Sequence, residues 1–246
     1  MRRRLPATIA TLGALFALGC SRTPPMVSGA LPQRGYLWQR DWTPAVDNAL
    51  VEAKQHFGGV VLLGAEIEWS GQTPRVVRAN IDWEEVRRTE HGRCSLALRV
   101  APFAFPKEGA PRLRAIESVA RSLVAEADAH HVAVQEFQLD YDCAQRNLGA
   151  YRAWLQQLRS AIHPVRFVIT TLPSWLDESE FAALVREVDG YVLQVHSVPL
   201  GGARGGALCD PKRARQWVLQ AARLRRPFSV ALPTYRCTAG YDQSGR

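Results

Sequence analysis

The sequence predicts an α/β protein, a (β/α)8 TIM-barrel-like fold that is incomplete, with about seven strands and its C-terminal part missing. Three observations predict it. Strand and helix signals alternate along most of the chain, the pattern of parallel strands joined by helical crossovers. The strands are apolar and rich in β-branched residues, as suits strands covered on both sides. Acids, amides and aromatics gather at their carboxyl ends, where barrels place their sites. An open doubly wound sheet fits the alternation as well. No G-x-G-x-x-G follows the first strand, which weakens a dinucleotide-binding form of that sheet.

The elements follow in order. Residues 34–40, RGYLWQR, give a first strand. Thr43 and Pro44 fit an N-cap and first helical residue. Val46, Ala49, Leu50, Ala53 and Phe57 then recur at helical spacing, and Gly58 stops the helix. The second strand is GVVLLGAEIEW, with the turn SGQTP and a return strand RVVRANI forming a hairpin. DWEEVRRTEHG is a short helix and CSLALRVAP the third strand. A long amphipathic helix buries Leu113, Ile116, Val119, Leu123, Val124 and Ala127. VQEFQLDYDCA holds the fourth strand, and Leu148, Tyr151, Trp154, Leu155 and Leu158 mark the next helix. RFVITTLP is the fifth strand. Asp177 with Glu180 reads as a capping box for the helix carrying Phe181, Leu184, Val185 and Val188. GYVLQVHSV is the sixth strand. PLGGARGGALC lacks the lysine of a P-loop and reads as a flexible loop. Asp210 and Pro211 start a helix with Ala214, Trp217, Val218, Ala221 and Leu224, and PFSVALPTY is the seventh strand. The last eleven residues, RCTAGYDQSGR, hold no apolar run, so an eighth strand is expected to be missing and the first and seventh strands to border a gap.

Of 246 residues, 47% are hydrophobic and 22% charged, an ordinary globular composition with length for one sizeable core. The net charge is +8. Its arginines are scattered over surface helix positions such as Arg213, Arg215 and Arg223, and no nucleic-acid-binding signature accompanies them. Residues 1–19 combine MRRR with a short apolar run ending at Leu18, Gly19 and Cys20. This reads as an export signal. The sequence around Cys20 resembles a bacterial lipoprotein signal, in which that cysteine becomes the lipidated N-terminus. Ala17 stands where leucine is usual. An ordinary secretory signal cleaved nearby is the other reading. Ser21, rather than aspartate, points by the same resemblance to the outer membrane, facing the periplasm. Residues 20–33 read as a tether and 34–246 as the barrel domain. In an oxidising compartment a disulfide between Cys143 and Cys209 is expected, with Cys237 as rival partner. No C-x-x-C pair suggests zinc, and no cofactor is expected.

Residues two apart on a strand share a face, about 6.5–7 Å apart. Asp140 and Asp142 therefore point the same way, with Gln138, while Leu139 and Tyr141 face the helices. Two acids at a barrel mouth shift each other's proton affinity, as general acid–base work requires. The other reading is a strand end whose acids meet loop amides or arginine. Around the pair the strand ends supply Trp38, Arg40, Glu66, Glu68, Thr170, Trp175, Gln194, His196 and Tyr235. Aromatics stack on sugar rings and carboxylates bond hydroxyls, so carbohydrate is the expected ligand. Asp140, Asp142 and Glu66 are the candidate catalytic groups. The others, Thr170 aside, are candidate substrate-binding residues. Metal-dependent hydrolysis by Asp140, Asp142 and His196 has no ligand spacing behind it beyond rim position.

FQLDYDCA, followed by YRAWLQQLR, ITTLPSWL, VLQVHSV, LCDPKRARQWV and VALPTY, resembles a family of exported bacterial lipoproteins of unknown function, itself similar to TIM-barrel glycoside hydrolases. The resemblance covers roughly residues 34–235 and implies the barrel fold more than an activity. A wider resemblance is to chitinase-like barrels, whose fourth strand carries spaced aspartates followed by an acid-donating glutamate. Asp140 and Asp142 match the last two aspartates. Phe137 occupies the place of the first, and Ala144 that of the glutamate, so the family's proton donor is absent. Two functions compete: a glycosidase acting on envelope polysaccharide, and a non-catalytic glycan-binding or scaffold lipoprotein on the same fold.

Overall fold

A computed structural model describes residues 29–71, 73–103, 111–196 and 208–234. The strands are β1 (Gly35–Leu37), β2 (Val60–Ser70), β3 (Thr73–Arg78), β4 (Arg93–Val100), β5 (Ala133–Tyr141), β6 (Arg166–Thr171), β7 (Gly190–Gln194) and β8 (Phe228–Ala231). The helices are α1 (Pro44–His56), α2 (Trp83–Thr89), α3 (Pro111–Ala129), α4 (Leu148–Ile162), α5 (Ser179–Leu184) and α6 (Pro211–Ala222). Short 3-10 turns lie at Gln145–Asn147 and Pro173–Trp175.

Local chemistry accounts for three helix starts. Pro44 opens α1 after the extended Thr43, its missing N–H falling where no intrahelical partner exists. Asp82 accepts from the Glu85 amide and caps α2. Asp210 does the same for α6, from the amides of Lys212 at 2.8 Å and Arg213 at 3.4 Å. The expected capping box at Asp177 is not made. Glu178 holds the N-cap position of α5 without a side-chain bond. Asp177 instead accepts from Gln220 Nε2 of α6 at 2.5 Å, a partner 43 residues away that competes with the local amide.

Seven strands run parallel in the order β1-β2-β4-β5-β6-β7-β8, and β3 returns antiparallel along β2 as the expected hairpin. Among the described residues β1 and β8 are the two edges. The sheet curls strongly. β1 and β5 stand three places apart in that order, about 14 Å in a flat sheet. Yet Tyr36 of β1 donates to Gln138 Oε1 of β5 at 2.9 Å. The result is an incomplete TIM-barrel-like α/β fold, open between β1 and β8 among the described residues.

Two layers follow from the alternation of side chains. On the convex face Leu62, Leu96, Leu98, Leu139, Ile169 and Leu193 join Leu50, Ile116, Leu123, Leu155 and Leu158 of the helices in one buried cluster. On the concave face Val61, Leu63, Ala97, Val168 and Val192 are buried outside that cluster, beside buried Gln138 and Thr170. The β2–β4 register slips between Leu63 and Ala65, leaving Gly64 as an extra residue, a β-bulge. Before the bulge odd-numbered residues of β2 face inward. After it Glu66 pairs in register with Arg99 on the inner face. A side chain there would crowd α3, since a Cβ would lie 3.0 and 3.1 Å from the Leu123 methyls, which would have to shift. Among the described residues no helix is long and apolar enough to cross a membrane.

Candidate functional site

Asp140 and Asp142 sit where the alternation argument puts them. Tyr141 between them faces the helices, edge-on to Tyr151 at 5.3 Å and to Trp154 at 6.2 Å. The aromatic run continues through Tyr151–Trp175 at 6.2 Å, Trp175–Phe181 at 6.0 Å and Phe181–Tyr191 at 5.6 Å. Each such pair adds about 0.5–1.5 kcal/mol beyond area burial. The run therefore locks the end of β5 against the helix layer and aims its acids into the concavity.

Asp140 is mostly enclosed, its side chain 18% exposed. Thr170 of β6 donates to its Oδ1 at 2.7 Å, Gln194 of β7 approaches the same oxygen at 3.4 Å, and Arg99 Nε of β4 lies 4.0 Å from Oδ2. Four consecutive strands thus meet at one carboxylate. Burial pushes its proton affinity above the ordinary aspartate range. The Thr170 bond and the charges of Arg99 and His196 oppose that rise, and Glu66 adds to it. Asp142, just past the strand, is exposed. Its proton affinity is also raised, first by hydration lost to its surroundings and then by the charge of Asp140, again against Arg99 and His196.

The other expected residues separate into four groups. Glu66 lies at the rim, ion-paired with Arg40; Trp38 is half-buried and edge-on to Tyr36 at 5.7 Å; Gln194 and His196 are half-buried beside Asp140 and Asp142. Glu68 is exposed and meets Arg75 of the hairpin at 3.4 Å. Trp175 corrects the sequence reading. It is fully buried and donates through Nε1 to the Cys143 carbonyl at 3.1 Å, so it packs the core and offers no face to a sugar. Tyr235 and Cys20 lie outside the described residues, as does Cys237.

The expected Cys143–Cys209 bond is not formed, and both are free thiols. Cys143 is buried under the turn that follows β5, its thiol contacting the Ala144 carbonyl at 3.4 Å. Burial pushes that thiol up to about 12, which suppresses the thiolate that exchange needs. Cys209 stands half-buried ahead of α6.

Residues that the sequence reading passed over complete the concave face. Arg99 is one; a lone cation in the apolar run CSLALRV was the available signal. Deeper in, Glu136 accepts from Arg34 at 2.7 Å, Arg166 at 3.0 Å and Gln138 at 2.7 Å. Burial alone would raise its proton affinity, but the Gln138, Arg34 and Arg166 bonds outweigh it and hold the carboxyl below its usual range. Burial pushes the Tyr36 hydroxyl up to about 12, keeping it a donor to Gln138. Glu136, Gln138 and Asp140 thus form a polar ladder up β5, with arginine at the floor and hydroxyl and amide at the rim. Among the described residues no three His, Cys, Asp or Glu side chains converge as a metal-binding set. Ala144 opens the turn after β5, so no third acid follows Asp142 there.

The fold is similar to that of a domain described as the C-terminal domain of a putative chitinase from Desulfitobacterium hafniense DCB-2, at 13% identity over 89% of this chain and 71% of that one, with a TM-score of 0.56. A weaker likeness is to a form of xylanase-A-amylase inhibitor protein (XAIP-III), at 11% identity over 78% of this chain and 75% of that one, TM-score 0.47. A family described as Domain of unknown function (DUF3142) matches residues 108–246. A comparison with curated proteins found no match.

Proposed function

We propose that this chain, which belongs to the DUF3142 family, is an exported envelope lipoprotein that binds polysaccharide at the carboxyl ends of its barrel strands. The observation that carries the reading is the convergence of β4, β5, β6 and β7 on Asp140 through Arg99, Thr170 and Gln194. Donors and acceptors fixed on strands, with Trp38 just past the end of β1 against Tyr36, suit a ring carrying hydroxyls on its edge and an apolar face. The fold neighbour is named as a putative chitinase, a carbohydrate-directed protein, and that name lends support. The leader, the Gly19–Cys20 pair and the polar stretch after it support export and lipid attachment.

A second reading, glycoside hydrolysis, is favoured by one observation: both aspartates hold protons more tightly than usual. Hydrolysis needs a proton donor and a second carboxyl about the scissile bond. Asp142, exposed at the mouth, is the donor or base in that reading, and Asp140 its orienting partner. Glu66, tied to Arg40, supplies fixed charge. A glycan array combined with a polysaccharide panel separates the two. Asp142→Asn should weaken binding at least tenfold, or abolish turnover, with the melting temperature nearly unchanged. Glycan binding equal to the parent's would refute the site. Cys20→Ala should leave the protein unprocessed or soluble; a variant processed and membrane-attached like the parent would refute the anchor.

A further inference from the structure

We infer that the opposite pole of the barrel, where the parallel strands begin, docks on an anionic phospholipid surface. Three features lead there. The first is connectivity. Gly58 N donates to Gln33 O at 2.9 Å and Gly35 N to Gly59 O at 3.2 Å, so the chain enters the fold at this pole. Whatever precedes Pro32 is attached here, whether or not Cys20 carries a lipid.

The second is charge. Acids on this pole are largely neutralised: Glu136 by Arg34 and Arg166, Asp189 by Arg159 at 2.7 Å, Glu187 by Arg152 at 3.9 Å. The cations are not. Lys54, Arg93, Arg223 and Arg225 are all exposed. Lys54 makes no ion pair among the described residues; it donates to the Thr89 carbonyl at 2.5 Å and meets His91 Nε2 at 2.9 Å. The side chains of Arg93, Arg223 and Arg225 make no ion pair among the described residues. Against them stand Glu52, Glu90 and Asp128. Two open depressions, of about 470 and 490 Å3, share Arg166 on this pole. They give phosphate headgroups room beside Arg226 on one side and Arg93 and Lys54 on the other.

The third is polarity across the molecule. At the carboxyl ends Asp41, Asp82, Asp142, Asp177, Glu178 and Asp210 stand among Arg40, Arg112, Arg146, Lys212 and Arg213, so acids and bases there largely offset each other. A negative leaflet therefore favours the pole with the unpaired cations, which turns the rim away from the lipid. Juxtamembrane cations gain about fivefold in partitioning each, within a Debye length of the surface.

The test is co-sedimentation of the full chain, carrying Cys20→Ser so that no lipid is attached, with phosphatidylcholine vesicles with and without phosphatidylglycerol. Arg223→Gln/Arg225→Gln is compared with Arg114→Gln/Arg121→Gln, an exposed pair on α3 that removes the same net charge. We expect the parent to bind only the anionic vesicles, and less at high salt. The first double variant should lose about 25-fold and the α3 pair less than about threefold. Folding of both is checked by melting curves; if the first pair unfolds, Arg93→Gln with Lys54→Gln replaces it. Equal losses in both pairs would reduce the effect to net charge and overturn the inference. So would no loss, or Arg223- and Arg225-dependent retention on an anionic polysaccharide with no vesicle binding. The vesicle assay does not read the rim, so failure here and failure of glycan binding are separately visible.

Discussion

Replacing Thr170 with valine tests whether the rim is built around a charged Asp140. Thr170 is 7% exposed, and valine keeps its shape while removing the hydroxyl that donates to Asp140 Oδ1 at 2.7 Å. A hydrogen bond to a charged acceptor contributes about 1.5–3 kcal/mol. Gln194, at 3.4 Å from the same oxygen, is too distant to replace it. The loss falls on the ionised form alone, so Asp140's proton affinity, already raised, should rise further. The sign of the stability effect follows. A carboxyl whose folded pKa exceeds its unfolded value keeps its proton longer in the folded state. Stability therefore falls as pH rises from about 4, the unfolded value, through the folded one. Thr170→Val stretches that window upward. Urea denaturation should show the variant near parental stability at about pH 4 and about 1.5–3 kcal/mol less stable at neutral pH. Carboxyl NMR should place the Asp140 titration higher than in the parent. An equal deficit at both pH values would mean the hydroxyl serves packing, and the account of Asp140 would fail.

Glu136→Gln should behave with the opposite sign. Its carboxyl is held below the usual range by Gln138, Arg34 and Arg166 against the effect of burial, so its contribution is present above about pH 4.5 and lost as pH falls. Since Arg34 and Arg166 remain 30% and 47% exposed and can rehydrate, the neutral-pH deficit should be at the low end of the range for broken buried pairs, about 3 kcal/mol; a deficit that persists in acid would contradict the pairing. Trp154→Ala should lose about 3–5 kcal/mol in chemical denaturation, because Trp154 backs the Tyr141 ring between the two aspartates; a loss under about 1 kcal/mol would show that the aromatic layer does not hold the strand end. Trp38→Ala should weaken glycan affinity with little change in unfolding midpoint, and unchanged affinity would remove Trp38 from the site. Gly64→Ala should cost about 1–3 kcal/mol, since its Cβ meets Leu123 at 3.0 Å; parental stability would mean that Leu123 yields freely.

The sequence showed most of what depends on local pattern and little of what depends on partners distant in the chain. Strand order, the hairpin and the α6 cap were legible because each rests on a few neighbouring residues: apolar runs, turn residues, Asp210 before Pro211. The common face of Asp140 and Asp142 was legible because strand periodicity is fixed at two. Trp175 was misplaced because an aromatic just past a strand suits a rim and a core equally; the Cys143 carbonyl and the Tyr151 ring decide between them. Asp177 looked like a cap until Gln220 reached it. The Arg34–Glu136 pair spans 102 residues, and no local pattern announces such a partner. Arg99 was readable by the same alternation applied to β4, as the inner-face neighbour of Asp140.

The bulge at Gly64 suggests how such a site can be assembled. Counting by twos from Val61, an unbroken β2 would turn Ala65, Ile67 and Trp69 to the concavity and press Glu66 and Glu68 into the helix layer, where an unpaired acid is strongly unfavourable. The bulge takes Gly64 out of that count, so Ala65 keeps Leu98 and Glu66 keeps Arg99 as partners. These are the faces β2 would also present without Gly64. An inserted codon at this point is therefore absorbed where it enters, and every later side chain stays on its own face. Across descendants of this fold, β2 can then differ in length by one residue while the concave wall keeps its composition, whereas the same insertion without a bulge would exchange the two faces.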